Sequence, residues 1–206
     1  MKAKADQVTV KLENEEVVAK KLLITAGKGT NQITRLLNIK LPLIPLRKTF
    51  SWLTAAENSY YKEGKFPAWG YDDGNSTYYG FPDINEKGLK IGRHDGGRLL
   101  DDPRELEQFG TYSEDEQEII GFTHKHFSKD IELKEGKVCT YTNTPDEDFI
   151  IDYLPEYENI MVACGFSGHG FKFASGIGEC LASILMEKQP AISLESFRLS
   201  RFDDSI

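Results

Sequence analysis

Apolar and polar residues alternate from Val8 to Leu12, and a second apolar stretch, Val17 to Thr25, follows the polar turn Glu13-Asn14-Glu15-Glu16. The pattern predicts a β-hairpin whose second strand, Lys21 to Ala26, is buried and ends at Gly27. Ile33, Leu36 and Leu37 recur at helical spacing and predict a short helix over 31–37. Two prolines in Leu41-Pro42-Leu43-Ile44-Pro45-Leu46 exclude a helix and mark an extended crossing segment, where a domain boundary is expected. From Arg47 to about Thr144 the pattern is strand-rich. Strands are expected over 48–53, 68–71, 77–81, 89–93 and 137–141, with Tyr71-Asp72-Asp73-Gly74-Asn75 as a turn. Helices are expected over 103–109 and 114–127, the second opened by a capping box of Ser113 and Glu116.

The end of the chain reads differently. Asn159-Ile160-Met161-Val162-Ala163-Cys164 is a continuous apolar strand. Gly165-Phe166-Ser167-Gly168-His169-Gly170 follows, then a helix whose apolar face holds Ile177, Leu181, Ile184 and Leu185. The pattern as a whole predicts an α+β chain: a mixed, largely antiparallel sheet with helices on one side over 42–145, flanked by segments 1–41 and 146–206 that belong to another sheet.

Composition narrows the function classes. Hydrophobic residues make up 39% and charged residues 28% of 206, which is globular. A net charge of −8 argues against nucleic acid or an anionic membrane as partner. Residues 101–118 hold eight of the acids and one base, Arg104, which reads as a solvated helix face. No apolar run approaches the roughly 20 residues of a membrane span, and the start has no signal-peptide core. Cys139, Cys164 and Cys180 form no C-x-x-C pair, so no metal site is expected, and the odd count points to the cytoplasm.

The strand, glycine-rich turn and helix at the end carry the strongest local chemistry. Glycines let backbone approach a ligand, and a helix start favours negative charge. A turn that simply packs the helix on the sheet is the alternative. Two named motifs fail here. The hydrolase elbow G-x-S-x-G has His169 where its last glycine belongs, and the dinucleotide fingerprint G-x-G-x-x-G lacks its third glycine at Phe173. Taken singly, Cys139 reads as a small buried hydrophobe, His94 as a surface residue or a base, and Lys172, His124 and His126 as solvated.

Together and in order, several segments resemble the C-terminal half of the monomeric sarcosine oxidase / N-methyltryptophan oxidase family of FAD-dependent amine oxidases. They are Tyr78-Tyr79-Gly80-Phe81-Pro82; Gly88-Leu89-Lys90-Ile91-Gly92-Arg93-His94; Cys139-Thr140-Tyr141-Thr142 with Asp146 to Asp152; and Gly165 to Phe173. The likeness runs from about Val8 to Phe202. It departs from the family pattern after Ala26-Gly27, where Lys28-Gly29 replaces the usual Ala-Trp.

The resemblance implies that 1–41 and 146–206 are pieces of an FAD domain and 42–145 a substrate domain. It implies FAD held covalently through Cys139, a turn Gly168-His169-Gly170-Phe171-Lys172 facing the flavin, and Lys172 binding the substrate carboxylate. It further implies Lys90 at the site of oxygen reduction, and Tyr79, His94 and Tyr141 lining the amine pocket. The implied reaction oxidises an N-methyl amino acid with oxygen, giving an imine, then an aldehyde, and hydrogen peroxide. Nothing in these 206 residues forms the FAD pyrophosphate loop. The isolated chain is therefore expected to be inactive, to hold FAD weakly, to need an N-terminal FAD-domain half as partner, and to self-associate through open strand edges. The alternative is a truncated, non-enzymatic fragment that binds no cofactor.

Overall fold

A computed structural model describes residues 1–55, 60–102 and 104–202. The chain divides into two compact units, one of Met1–Pro45 with Tyr141–Ile206 and the other of Leu46–Thr140.

In the first unit, β1 (Lys2–Lys4), β2 (Gln7–Lys11) and β3 (Glu16–Ala19) form an antiparallel meander, with Val8 opposite Ala19 and Val10 opposite Val17. The expected hairpin forms, but its second strand is β3 rather than 21–26. β4 (Leu22–Ile24) leaves the hairpin and pairs in parallel with a late strand, Ile24 opposite Val162. The reason is burial on both faces. Ile24 joins a core of Val8, Leu41, Ile150, Ile160 and Val162, while Leu23 points the other way, onto a core with Phe149, Met161 and Leu181. A two-stranded hairpin covers one face at best; a layered sheet covers both. The helix predicted over 31–37 is present as α1 (Thr30–Thr34), tightening into a 3-10 turn over Arg35–Leu37.

The second unit carries a sheet in the order β10-β5-β8-β7-β6, built from β5 (Ile44–Ala55), β6 (Trp69–Asp72), β7 (Thr77–Phe81), β8 (Leu89–Arg93) and β10 (Ile131–Asn143); β9 (Arg98–Leu99) also pairs β5. The pairings of β5 with β8 and β9, β6 with β7 and β7 with β8 are all antiparallel. α2 (Glu114–His126) covers one face. Its Ile119 and Phe122 pack with Leu53, Tyr78, Leu89, Ile91 and Ile131, and the Phe122 and Tyr78 rings stack at 3.8 Å.

Three local expectations fail in this unit. Residues 104–109 form no helix, and Pro103 lies outside the described residues. The buried Arg47 takes the carbonyls of Glu107 and Gln108, at 3.0 and 2.9 Å, and the Phe109 ring lies where a side chain on Gly136 would sit. Tertiary bonds thus replace a helical ladder. The capping box is also absent: Ser113 is already helical, and its hydroxyl donates to Glu114 rather than to a backbone amide. Acids at 114–116 serve the helix N-terminus instead. Lastly, the acidic stretch is not wholly solvated. Asp115 is 3% exposed and forms a two-pronged pair with Arg47, both distances 2.7 Å.

Back in the first unit, β11 (Ile150–Tyr153) runs antiparallel to β12 (Ile160–Cys164), which completes the sheet β11-β12-β4. Every residue of β12 is buried. α3 (Ala174–Leu185) follows the glycine-rich turn.

Candidate cofactor and substrate site

In the second unit, register gathers three of the sequence-nominated residues. Phe81 pairs with Lys90 and Tyr79 with Gly92, while Trp52 pairs with Lys90 and Phe50 with Gly92. Side chains alternate across a strand, so Phe50, Trp52, Tyr79, Phe81 and Lys90 share the face opposite α2. Register carried one step further puts His94 at the end of that row, its amide donating to Thr77 at 2.7 Å. The Lys90 ammonium lies 4.4 Å from the Phe50 ring centre, 5.6 Å from Trp52 and 5.8 Å from Phe81, a cation held over aromatic faces. Glycine at 92 is required by close approach: a Cβ there would stand 2.7 Å from the Tyr79 phenol.

Cys139 sits half-buried on β10, next to β5 in the sheet. Burial pushes its thiol up, and the Lys48 and Lys90 ammoniums offset only part of that. Lys48 itself is 4% exposed, and burial lowers its pKa. Sequence reading passed over Lys48, Arg47 and Asp95. The available signal is two consecutive cations, Arg47 and Lys48, ahead of the apolar Phe50, Trp52 and Leu53 of the same strand.

In the first unit, the turn after β12 is tight and left-handed at several positions. Gly165 has φ +64°, Ser167 +48° and Gly168 +79°. Ser167 tolerates this because it is bonded in place: its amide donates to Thr142 at 3.1 Å, and its hydroxyl donates to Gly165 and accepts from the Thr144 amide. Gly168 lies against the Tyr141 ring, where a Cβ would stand 2.1 Å away. The turn thus brings Tyr141 and Gly168 together. His169 packs on Phe149, ring centres 5.1 Å apart, and its Nε2 lies 3.3 Å from the Glu147 carbonyl. Phe171 is 98% exposed. The exposed Lys172 reaches the His169 carbonyl at 3.2 Å. α3 starts only at Ala174, after a 3-10 turn over Phe171–Phe173.

Against this geometry, residues 2–184 match the family of FAD dependent oxidoreductases. The chain belongs to that family. It is 38% identical over 197 residues to monomeric sarcosine oxidase of Bacillus sp. (strain NS-129), covering 95% of this chain and 51% of that protein. It is 41% identical over 198 residues to N-methyl-L-tryptophan oxidase of Citrobacter koseri, covering 96% and 52%. The chain thus spans about half the length of the curated relatives it matches. Among solved structures, NikD, an amino acid oxidase essential for nikkomycin biosynthesis, superimposes with a TM-score of 0.76 at 17% identity, covering 95% of this chain and 52% of its own. Amadoriase I, a fructosyl amine:oxygen oxidoreductase of Aspergillus fumigatus, gives 0.67 at 23%, covering 93% and 47%. These two likenesses establish the fold. The resemblance read from the sequence is borne out at the level of the family and of its sarcosine and N-methyltryptophan oxidase members.

Proposed function

We propose that this chain supplies the substrate-binding and flavin-attachment portion of an FAD-dependent amine oxidase acting on N-methyl amino acids. The residues fit such a cofactor in two respects. The glycine turn packs backbone against Tyr141 with no side chain intervening, and a lysine stands among aromatic rings beside a half-buried cysteine. They do not provide for the pyrophosphate, since among the described residues no glycine fingerprint follows a strand. The reading therefore includes a partner region, carrying that loop, in the part of the relatives' length this chain does not span.

Bound FAD would supply the two-electron acceptor and, through Cys139, a thioether anchor. The chain's own residues do the rest. Lys172 binds the substrate carboxylate. Tyr79, His94 and Tyr141 line the amine. The backbone of Gly168, His169, Gly170 and Phe171 meets the cofactor ring, and Lys90 holds a fixed cation where oxygen gains negative charge. The substrate loses a hydride from a carbon next to nitrogen. Water splits the resulting imine to an aldehyde and an amine, and oxygen takes up two electrons and two protons as hydrogen peroxide.

The observation that carries this reading is that Tyr79 and Lys90 share the sheet face opposite α2, in a chain 38–41% identical to such oxidases. A second reading, a non-enzymatic fragment, draws on the absent fingerprint. The two separate in one experiment: co-produce the chain with the N-terminal half of the Bacillus relative and assay peroxide. Peroxide with sarcosine or N-methyltryptophan, and none with an amine lacking the carboxylate, supports the oxidase. A stable complex with that half that takes up no flavin and yields no peroxide supports the fragment.

A further inference from the structure

β5 pairs with β8 and β9 in turn, and the two ladders do not meet. Phe50 lies opposite Gly92 and Arg47 opposite Arg98. Between those pairs β5 has two residues, Lys48 and Thr49, whereas the other side has five, Arg93 to Gly97. The surplus must bulge, and a bulge leaves carbonyls without ladder partners. The Lys48 side chain supplies them. Its ammonium donates to the carbonyls of His94, Asp95 and Gly96, at 3.1, 2.5 and 3.0 Å. A lysine has three N–H donors, matched here to three successive carbonyls. The bulge is folded closely onto the lysine stem: Gly97 has φ +107°, and a Cβ there would stand 2.7 Å from the Lys48 Cδ. The flanks are tied as well. The Asp95 carboxylate takes the Thr77 amide at 2.5 Å and pairs with Arg93 at 2.6 Å.

We propose that Lys48 is a positioning residue for His94, its ammonium replacing the missing ladder of the bulge and setting where the His94 backbone stands on the open sheet face. This rests on the reading of His94 as a residue of the amine pocket. A structural lysine could have plugged the bulge anywhere; here the first carbonyl it holds is that of the nominated histidine. The groups facing Lys48 are Asp95, Arg93, Glu118 and Cys139. Bulges re-aim side chains next to active sites, so the bond set has a role beyond stability.

The test needs no flavin. The chain has four histidines, and the three at 124, 126 and 169 serve as internal controls. Ring cross-peaks of all four are recorded by NMR in the unsubstituted chain and in Lys48→Met, with His94 assigned by its loss in His94→Gln. The expected result is a shift or broadening of the His94 peak beyond its line width while the other three stay within theirs. An unmoved His94, or four peaks moving together, overturns the proposal. Should Lys48→Met not fold, the unsubstituted chain decides: the Lys48 ammonium protons are expected to exchange slowly and to show couplings to the His94, Asp95 and Gly96 carbonyl carbons. Fast exchange without couplings overturns it. In the assembled flavoenzyme Lys48→Met is expected to raise KM for the N-methyl amino acid more than it lowers kcat. If the assembled wild-type protein is inactive, the reading of function fails while the NMR result stands.

Discussion

Among single residues, the Arg47–Asp115 pair is where one substitution should cost most. Both side chains are 3% exposed, and Asp115 also accepts the Gly110 amide. Asp115→Ala leaves a buried guanidinium without its carboxylate, so a loss of about 3–5 kcal/mol is expected in urea unfolding. Replacing both residues with apolar ones should cost far less; an equal loss would assign the effect to packing. Lys90 belongs to a different class. It lies over aromatic rings on the open face, so Lys90→Met should leave the fold intact, slow reoxidation by oxygen in the assembled enzyme and spare flavin reduction. Stopped-flow traces of the two half-reactions would show the reverse pattern if Lys90 acted on the amine. Lys172→Met should weaken carboxylate substrates by about 1.5–3 kcal/mol, read as KM against substrates lacking the carboxylate. Asp146 responds to acid. Bonds from Arg201 pull its carboxyl from 3.8 to about 2. A depressed carboxylate stabilises the fold above its unfolded pKa and loses that contribution as pH falls through the folded one. Asp146→Asn should therefore flatten the acid limb of the unfolding curve between about 4 and 2. The group is partly exposed, so the effect should shrink in salt.

At the level of elements, the turn after β12 is the most constrained. Gly168→Ala adds a methyl where the Tyr141 ring lies and imposes a left-handed backbone on a residue with a Cβ. The strain alone costs roughly 1–2 kcal/mol. Tyr141 should move with it, read as a changed tyrosine fluorescence or ring NMR signal; an unchanged tyrosine environment would contradict the contact. The strands here were legible because alternation and apolar runs are local. Lys48 to Leu53, Thr77 to Phe81 and Leu89 to Arg93 stand inside observed strands, and the apolar run Asn159 to Cys164 is strand in all but its first residue. The failures were non-local. Residues 104–109 look helical until Arg47, sixty positions earlier, takes their carbonyls. Leu22–Ile24 looks like a hairpin strand until its partner proves to be Ile160–Val162. The candidate site follows the same rule: the family resemblance points to Tyr79, Lys90 and Cys139, whereas Lys48 meets the His94 carbonyl only through a bulge created by two separate ladders.

For the molecule as a whole, the sheet β11-β12-β4 ends in a short parallel strand at its edge. Beside that strand lies an open apolar depression of about 390 Å³, lined by Leu23, Ala163, Phe166, Ile177, Leu181 and Leu185. A parallel strand is normally an inner member of a sheet covered on both faces, so this edge is where a partner region is expected to add. In its absence the chain should pair with itself. Light scattering across a concentration series checks this, with a strict monomer counting against it. FAD titration of the isolated chain should give binding weaker than micromolar, that is, poorer than about −8 kcal/mol. Whether Cys139 anchors a flavin decides the function of the molecule. The decisive measurement is acid precipitation of the chain co-produced with the N-terminal half of a relative, followed by peptide mass spectrometry. A yellow pellet with a flavin adduct on Cys139, lost in Cys139→Ser, is the predicted result. A colourless pellet from a complex that was yellow before precipitation, with Cys139 unmodified, would contradict it.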